Sequence, residues 1–143
     1  MGAEQESVVR EFIGYFREGW PDDLDAPLAL MADDAYYRVI VPVTEPIRGR
    51  AKIKKAWQRM QQQMESQRHE MIAVASNDRF VFAERVDHSL MDGTWDDVPL
   101  VAVFEVDAEN KIVAWREYLD SANVAAQHGK SSLAEMFASS RPR

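Results

Sequence analysis

Residues 79–91 read Arg-Phe-Val-Phe-Ala-Glu-Arg-Val-Asp-His-Ser-Leu-Met, and their alternation of side-chain types is typical of a β-strand. Because successive side chains of a strand point to opposite faces, the run separates into two sets. One face carries small or polar side chains: Val81, Ala83, Arg85, Asp87 and Ser89. The other carries bulky apolar ones: Phe80, Phe82, Val86 and Leu90. Both faces therefore need cover, and one of them contains a charged pair.

Three similar runs flank this strand along the chain. We predict strands at 69–76, 97–106 and 111–120, because each is rich in β-branched and aromatic residues. The segments that separate the four strands are short and contain turn-forming residues: Asn77-Asp78, Asp92-Gly93 and residues 107–110. Short turns join neighbouring antiparallel strands, so the four strands are predicted to form an antiparallel meander.

The N-terminal half predicts three helices and one strand. Helical spacing of Val9, Phe12, Ile13 and Phe16 predicts a helix that ends at Gly19-Trp20-Pro21, and the stripe of Ile53, Trp57, Met60 and Met64 predicts another. Between them we predict a short helix at 25–32, a turn at Asp33-Asp34 and a strand at 35–43. Near the C-terminus, Ser132 and Glu135 have the spacing of a capping box, which would put Leu133, Met136 and Phe137 on an apolar helix face.

Helices followed by a long meander indicate the α+β class. We predict N-terminal helices packed on a strongly curved, mostly antiparallel sheet of six or fewer strands around an apolar pocket. The absence of a linker or repeat predicts a single domain over residues 1–143. The apolar outer face with Phe80, Phe82 and Val86 predicts a homodimer through that side of the sheet.

Composition excludes several kinds of partner and site. The net charge of −7 and the pI near 4.9 disfavour nucleic acid, which is itself polyanionic. No apolar run approaches the roughly 18 residues of a membrane span, and the N-terminus lacks the basic and apolar regions of a secretory signal. The chain has no cysteine, which removes disulfides and thiolate chemistry and fits a reducing compartment. We therefore expect a cytoplasmic protein that binds neither membranes nor nucleic acid.

Glu117 is an acidic residue on a strand face that otherwise carries large apolar side chains. Val113, Trp115 and Leu119 share that face with Glu117, and a buried carboxylate needs a cation or a proton. Arg85 is the natural partner, because a guanidinium stays charged and can engage two carboxylates. With Asp87 beside it, one of the two acids should hold a proton while the other stays ionised, which suits general acid–base chemistry.

Two plainer arrangements stay open on the pattern alone. Arg85 and Asp87 can form an ordinary ion pair along one strand, and Glu117 can point to water at the rim of the sheet. The three histidines show no metal-binding spacing, so we expect no metal site and give the histidines no role. Nucleophile-elbow and phosphate-loop motifs are absent from the sequence.

The segments Ala83-Glu84-Arg85-Val86-Asp87 and Ile112-Val113-Ala114-Trp115-Arg116-Glu117-Tyr118-Leu119-Asp120 resemble the limonene-1,2-epoxide hydrolase family. That family has the nuclear-transport-factor-like fold, shared with ketosteroid isomerase and small polyketide cyclases. The similarity runs from about residue 6 to residue 128. It implies a cone-shaped pocket and a one-step hydrolysis of a small apolar epoxide to a diol, without cofactor, metal or covalent intermediate.

The resemblance also implies roles for individual residues. Asp87 matches the acid that protonates the epoxide oxygen, Arg85 the bridge between two acids, and Glu117 the base that activates water. Tyr37 matches a tyrosine that holds this water. Positions that match the wall of the family's pocket are Val39, Met60, Met64, Val98, Leu100, Trp115 and Leu119.

The chain departs from the family pattern at two positions. Glu117 stands where the base is normally Asp, and its extra methylene moves the carboxylate by about 1.5 Å. A displacement of that size can cost about a hundredfold in rate. Val39 stands where the family has an Asn that orients the water, and a valine cannot do so.

These departures keep three functional hypotheses open. The first is epoxide hydrolysis. The second is isomerase- or cyclase-like proton transfer on a small apolar carbonyl compound, which needs no oriented water. The third is non-catalytic binding of an apolar ligand, because one fold hosts many activities.

Overall fold

The computed structural model describes residues 2–139, and side chains as far as Met136. Its elements along the chain are α1 Ala3–Gly14, α2 Asp25–Leu28, β1 Met31–Arg38, β2 Ile47–Arg48, α3 Arg50–Gln63, β3 Ser66–Ser76, β4 Phe80–Met91, β5 Thr94–Trp95, β6 Val98–Val106, β7 Ile112–Leu119, α4 Ser121–Gln127 and α5 Leu133–Ser139. N-terminal helices pack on a curved, unclosed sheet whose strands are mostly antiparallel. The predicted α+β class is confirmed.

The sheet is built around the predicted meander. Its strand order is β2-β1-β7-β6-β4-β3, with β5 paired to β4, and the meander strands β3, β4, β6 and β7 are mutually antiparallel neighbours. Strand β1 adds to β7 in parallel. The prediction of six or fewer strands is wrong, because the two-residue strands β2 and β5 bring the sheet to seven. Elements that short carry no sequence periodicity.

The predicted boundaries in the N-terminal half are partly wrong. Helix α1 ends at Gly14, before the predicted stop at Gly19, and α2 ends at Leu28 instead of residue 32. Strand β1 begins at Met31, includes Asp33-Asp34 and ends at Arg38, whereas we predicted 35–43. The two aspartates lie in an irregular stretch of the strand, between the Met31 and Tyr36 pairs with β7. Beyond the strand, Arg38 Nε donates to the Thr44 carbonyl at 2.7 Å and holds a turn.

Helices α1 and α3 cover the concave face of the sheet. Phe12 of α1 packs against four aromatic rings, with centroid distances of 5.6 Å to Phe16, 6.1 Å to Trp57, 6.0 Å to Phe104 and 5.1 Å to Trp115. Burying side chains of this size contributes most of the stability of such a core. Trp57 and Trp115 of this aromatic cluster also line the cavity described below.

The C-terminal segment closes over the concave face. Asp120 caps α4 by accepting from the Asn123 backbone N–H, and Ser132 Oγ accepts from the Glu135 N–H at 3.1 Å as the capping box predicts. Leu133 and Met136 of α5 are buried. The side chain of Phe137, predicted on the same face, lies outside the described ones.

Strand β4 separates its faces as predicted. Val81, Ala83 and Arg85 are buried on the concave side, whereas Phe82 is 43% exposed on the outer side. Val101 and Tyr118 are also exposed there, so the outer face carries apolar surface. The homodimer predicted through this face stays a prediction. Among the helices described, none is long and apolar enough to cross a membrane.

Candidate active site

Strand register brings Arg85 and Glu117 within reach of each other. Strand β6 lies between β4 and β7, and its Ala102 pairs with Ala83 on one side and with Glu117 on the other. Arg85 is two residues beyond Ala83 on the same face. Arg85 lies opposite Leu100 of β6, and the small Ala102 opposite Glu117 lets the long Arg85 side chain cross β6 diagonally and reach the carboxylate.

One guanidinium joins both acids. Arg85 Nε donates to Asp87 Oδ1 at 3.0 Å, and Nη2 donates to Asp87 Oδ2 at 2.9 Å. The same Nη2 donates to Glu117 Oε2 at 2.5 Å, and Trp115 Nε1 adds a hydrogen bond to that oxygen at 3.1 Å. Arg85 is 1% exposed and Glu117 is 6% exposed. Glu117 therefore does not point to the rim, and Arg85 serves more than a pair along one strand.

Burial and the neighbouring charges both act on the pKa values of this cluster. Burial raises the pKa of Glu117, an effect that Arg85 opposes and the charge of Asp87 reinforces. Burial alone would lower the pKa of Arg85, but Glu117 and Asp87 raise it, so the guanidinium stays charged. With one cation for two carboxyl groups, the raised pKa of Glu117 means that a proton is readily held within the cluster.

Tyr37 of β1 lies against the same group. Its ring stacks on Trp115 with centroids 3.9 Å apart, and it is 4% exposed. Burial raises the pKa of Tyr37, and the charges of Glu117 and Asp87 raise it further while Arg85 lowers it. The phenol is therefore neutral and keeps a hydroxyl group that can both donate and accept a hydrogen bond.

The cluster opens on a cavity of about 130 Å³. That volume is close to the roughly 150 Å³ of an engineered cavity that binds benzene, so the space suits a small molecule. All the wall positions predicted from the sequence line it, namely Val39, Met60, Met64, Val98, Leu100, Trp115 and Leu119. Arg85, Asp87, Glu117 and Tyr37 line it as well.

Several lining residues were not predicted. Gln67 and His69 come from β3, and His69 Nε2 lies 3.1 Å from Gln67 Oε1 and 3.5 Å from Asp87 Oδ2. Trp20 contributes from the segment after α1. His69 therefore lines the cavity, although its sequence pattern indicated no role for it. The signal that could have found His69 is its cross-strand position opposite Asp87, which depends on the register of the first hairpin.

A second buried acid fastens the C-terminal segment to the pocket. Asp96 is 2% exposed, accepts from the Ser89 backbone N–H at 2.7 Å, and lies 2.7 Å from His128 Nε2. Because His128 ends α4, this contact holds the chain that leads into α5, whose Leu133 and Met136 line the cavity. Within residues 2–139, no three histidine or acidic side chains are grouped so that they could hold a metal ion.

The limonene-1,2-epoxide hydrolase catalytic-domain profile matches residues 3–130, which is most of the chain. The chain belongs to the limonene-1,2-epoxide hydrolase (LEH) family. At the family level this supports a hydrolase role. Comparison with curated proteins finds no match.

Solved structures share the LEH-family fold of this chain. An LEH-like epoxide hydrolase from M. tuberculosis matches with TM-score 0.74 and 23% identity over 88% of this chain and 90% of its own. A putative SnoaL-like polyketide cyclase from Jannaschia sp. CCS1 matches with TM-score 0.76 and 12% identity over 93% and 94%. The epoxide hydrolase/cyclase-like enzyme SalBIII, described in pyran ring formation in salinomycin, gives TM-score 0.70 and 16% identity over 84% and 93%. Identities this low establish a common fold only.

This LEH-family chain keeps its two departures inside the cavity. Val39 lines the wall without an amide that could orient water, and Glu117 reaches its position beside Arg85 with the longer side chain. Arg85 contacts both acids despite the extra methylene, so the length of Glu117 does not prevent the shared contact.

Proposed function

We propose that this protein hydrolyses a small apolar epoxide to a diol by one-step general acid–base catalysis. The observation that carries the proposal is the guanidinium of Arg85, which hydrogen-bonds Asp87 and Glu117 together at the wall of a largely apolar cavity. Membership of the LEH family supports the same reaction class. A cavity of about 130 Å³ supports a substrate of few heavy atoms.

In the proposed step, Glu117 takes one proton and Asp87 gives one. Ionised Glu117 takes a proton from water, and the water oxygen forms a bond to one epoxide carbon. The bond from that carbon to the epoxide oxygen breaks, and the oxygen receives the proton of neutral Asp87. Glu117 is then neutral and Asp87 ionised, so a proton returns from one acid to the other before the next turnover. The step needs no cofactor.

The environment of Glu117 suits the role of the base. A raised pKa makes the ionised form of Glu117 a stronger base toward water, which is the direction in which general bases are tuned. Asp87 can carry a proton on Oδ2 and still accept from Arg85 with a remaining lone pair. Tyr37, held neutral and stacked on Trp115, is the candidate to hold the attacking water.

Paired variants test the proposal. Asp87→Asn and Glu117→Gln keep the side-chain size but remove the acid and the base, so each should reduce diol formation from cyclohexene oxide or limonene oxide by about a thousandfold. Glu105→Gln is the matched control, because Glu105 also pairs with arginines but lies outside the cavity lining. Wild-type rates in Asp87→Asn, with the fold intact by circular dichroism, would reject the assignment.

The apolar Val39 favours a second candidate, proton transfer next to a carbonyl group in an isomerisation or cyclisation. That reaction uses the same acid pair and needs no oriented water, and the likeness to an epoxide hydrolase/cyclase-like enzyme fits it. Products formed in ¹⁸O-labelled water separate the two, because only hydrolysis incorporates the label. Binding without catalysis predicts thermal stabilisation by epoxides and enones with no turnover of either.

A further inference from the structure

Unpaired polar atoms are concentrated at one place in this protein. Across the side chains that the structure describes, four buried nitrogen atoms lack a hydrogen-bond partner: Trp20 Nε1, Gln67 Nε2, His69 Nδ1 and Arg85 Nη1. All four residues line the same cavity. An unpaired buried donor or acceptor is unfavourable, and native proteins contain few of them. Their gathering around one cavity indicates that a bound group completes them.

Three of these atoms belong to one wall. Gln67 and His69 are two residues apart on β3 and are joined by the 3.1 Å contact between Gln67 Oε1 and His69 Nε2. Phe16 connects this pair to Trp20, because its ring centroid lies 5.9 Å from that of His69 and 6.2 Å from that of Trp20. We call Trp20, Gln67 and His69 the polar wall. It adjoins the acid cluster, since His69 is the cross-strand neighbour of Asp87.

The hydrogen-bonding character of the polar wall is mixed. His69 Nε2 lies near two acceptors, Gln67 Oε1 and Asp87 Oδ2, so we assign the ring proton to Nε2. Burial lowers the pKa of His69 to about 4, which keeps the imidazole neutral at pH 7. Nδ1 therefore presents a lone pair, while Trp20 Nε1 and Gln67 Nε2 present N–H donors.

We propose that the polar wall is a subsite for a hydroxyl substituent of the substrate, so that the preferred substrates are small epoxides that also carry an alcohol group. This inference rests on the proposed epoxide hydrolysis and narrows its substrate class. A hydroxyl oxygen would accept from the N–H groups of Gln67 Nε2 and Trp20 Nε1.

Other ligand groups fit the polar wall less well. A carboxylate or phosphate would add negative charge to a cavity in which one guanidinium already serves two acids. An ammonium group would meet the N–H donors of Trp20 and Gln67. A plain hydrocarbon would leave every one of the four nitrogens unpaired. A neutral hydroxyl accepts from these N–H donors without adding a charge to the cavity.

The first test compares two epoxides that differ by one hydroxyl group, 2,3-epoxycyclohexan-1-ol and cyclohexene oxide. We expect the wild-type kcat/KM to favour the hydroxylated epoxide by about tenfold or more, the value of one well-made hydrogen bond. Gln67→Leu should bring the ratio close to one. Met60→Leu, a matched change on the apolar wall, should keep the preference. Equal kcat/KM for the two epoxides in the wild-type protein would overturn the proposal.

A binding measurement separates this inference from the proposed reaction. Trp20, Trp57 and Trp115 line the cavity, so their fluorescence should report its occupation by unreactive cyclohexanol or cyclohexene. If neither epoxide is turned over, tighter binding of cyclohexanol than of cyclohexene, lost in Gln67→Leu, would still support the hydroxyl subsite. Tighter binding of cyclohexene by the wild-type protein would show that the polar wall holds only water, and would end the proposal without any variant having to fold.

Discussion

Two arginine–carboxylate clusters lie on opposite faces of the same sheet. In the inner cluster, one arginine, Arg85, is shared by two acids inside the cavity. In the outer cluster the numbers are reversed: Glu105 accepts from Arg79 at 3.1 Å and from Arg116 at 2.6 Å. The outer arginine side chains are 71% and 22% exposed, whereas that of Arg85 is 0% exposed.

The difference lies in which charge is in excess. With all groups ionised, the inner cluster sums to −1 (one arginine, two acids) and the outer to +1 (two arginines, one acid). Partial burial raises the pKa of Glu105, but hydrogen bonds from Arg116 and Arg79 outweigh it and the net pKa is lowered. Glu117 is shifted upward by burial instead. The outer acid is therefore fixed in its ionised form, whereas the inner cluster can hold and release a proton.

Removing one arginine from each cluster should give the largest difference in stability between the two. Arg85→Met leaves two buried acids without their cation and should lower the free energy of unfolding at pH 7 by about 3–5 kcal/mol. Arg116→Met removes a partly exposed partner of Glu105 and should cost less than about 1 kcal/mol. Urea unfolding of both variants measures the two losses. Equal losses would mean that the inner cluster is no more than a structural ion pair.

The same variant has a pH signature. Without Arg85 the pKa of Glu117 should rise further, because the charge that opposes its protonation is gone. A carboxyl group whose folded pKa is raised stabilises at low pH and loses that contribution as pH rises through the folded pKa. Arg85→Met should therefore lose less stability at pH 5 than at pH 8.

His69 lies at the edge of the inner cluster, and its lowered pKa gives the stability of the protein a dependence on pH. Its pKa is about 4, lowered by burial and by the charges of Arg85 and His88 although Asp87 raises it, against 6.5 for an exposed histidine. The unfolded chain thus binds an extra proton between those values, so stability is full above pH 6.5 and falls by about 3 kcal/mol as pH drops to 4. His69→Phe should remove this slope from urea unfolding measured at several pH values.

His88 supplies the matched control for that slope. It is the neighbour of Asp87 on the opposite side of β4, partly exposed and 2.8 Å from Asp97 Oδ1. His88→Gln should keep most of the wild-type dependence on pH. Superimposable profiles for wild type and His69→Phe would show that His69 is not buried in the neutral form.

The meander could be predicted from the sequence because two independent signals agree there. Alternation identifies the faces of β4, and short polar separators such as Asn77-Asp78 fix the neighbours. The boundaries of β1 could not be predicted, because Asp33 and Asp34 have turn preferences and lie in an irregular stretch between the Met31 and Tyr36 pairs with β7. Strand β5 is too short to leave any pattern.

The acid cluster was predictable in part for a similar reason. Arg85 and Asp87 share a face by parity within one strand, and Glu117 conflicts with the apolar neighbours on its own. His69 was missed because its position depends on a register shift between Met71 and Ala73, which moves the far end of β3 relative to Asp87. No local pattern indicates such a bulge, so the polar wall emerges only from the three-dimensional pairing.

An amide introduced at position 39 tests whether the inner face lacks a group that orients water. Val39→Asn adds to the inner face the one group that the LEH resemblance implies and the chain lacks, close to Tyr37 in the cavity wall. If hydrolysis is limited by a poorly held water, diol formation should rise by about tenfold, or about 1.4 kcal/mol of transition-state stabilisation. Val39→Leu is the control and should give no gain. A fall in rate with Val39→Asn would favour proton transfer without water.

The smallest predicted effect is the response of the two clusters to salt, which compares them directly. Glu105→Gln should cost less than about 1 kcal/mol of unfolding free energy in low salt, and most of that cost should vanish at 1 M NaCl, where the Debye length is about 3 Å. The cost of Glu117→Gln should be nearly the same in both conditions, because its 2.5 Å contact with Arg85 is shielded from solvent ions. Urea unfolding of the two variants in both salt concentrations decides this. An inner cluster as sensitive to salt as the outer one would have to be open to water, and a proton could then not be held between Asp87 and Glu117 for delivery to a substrate.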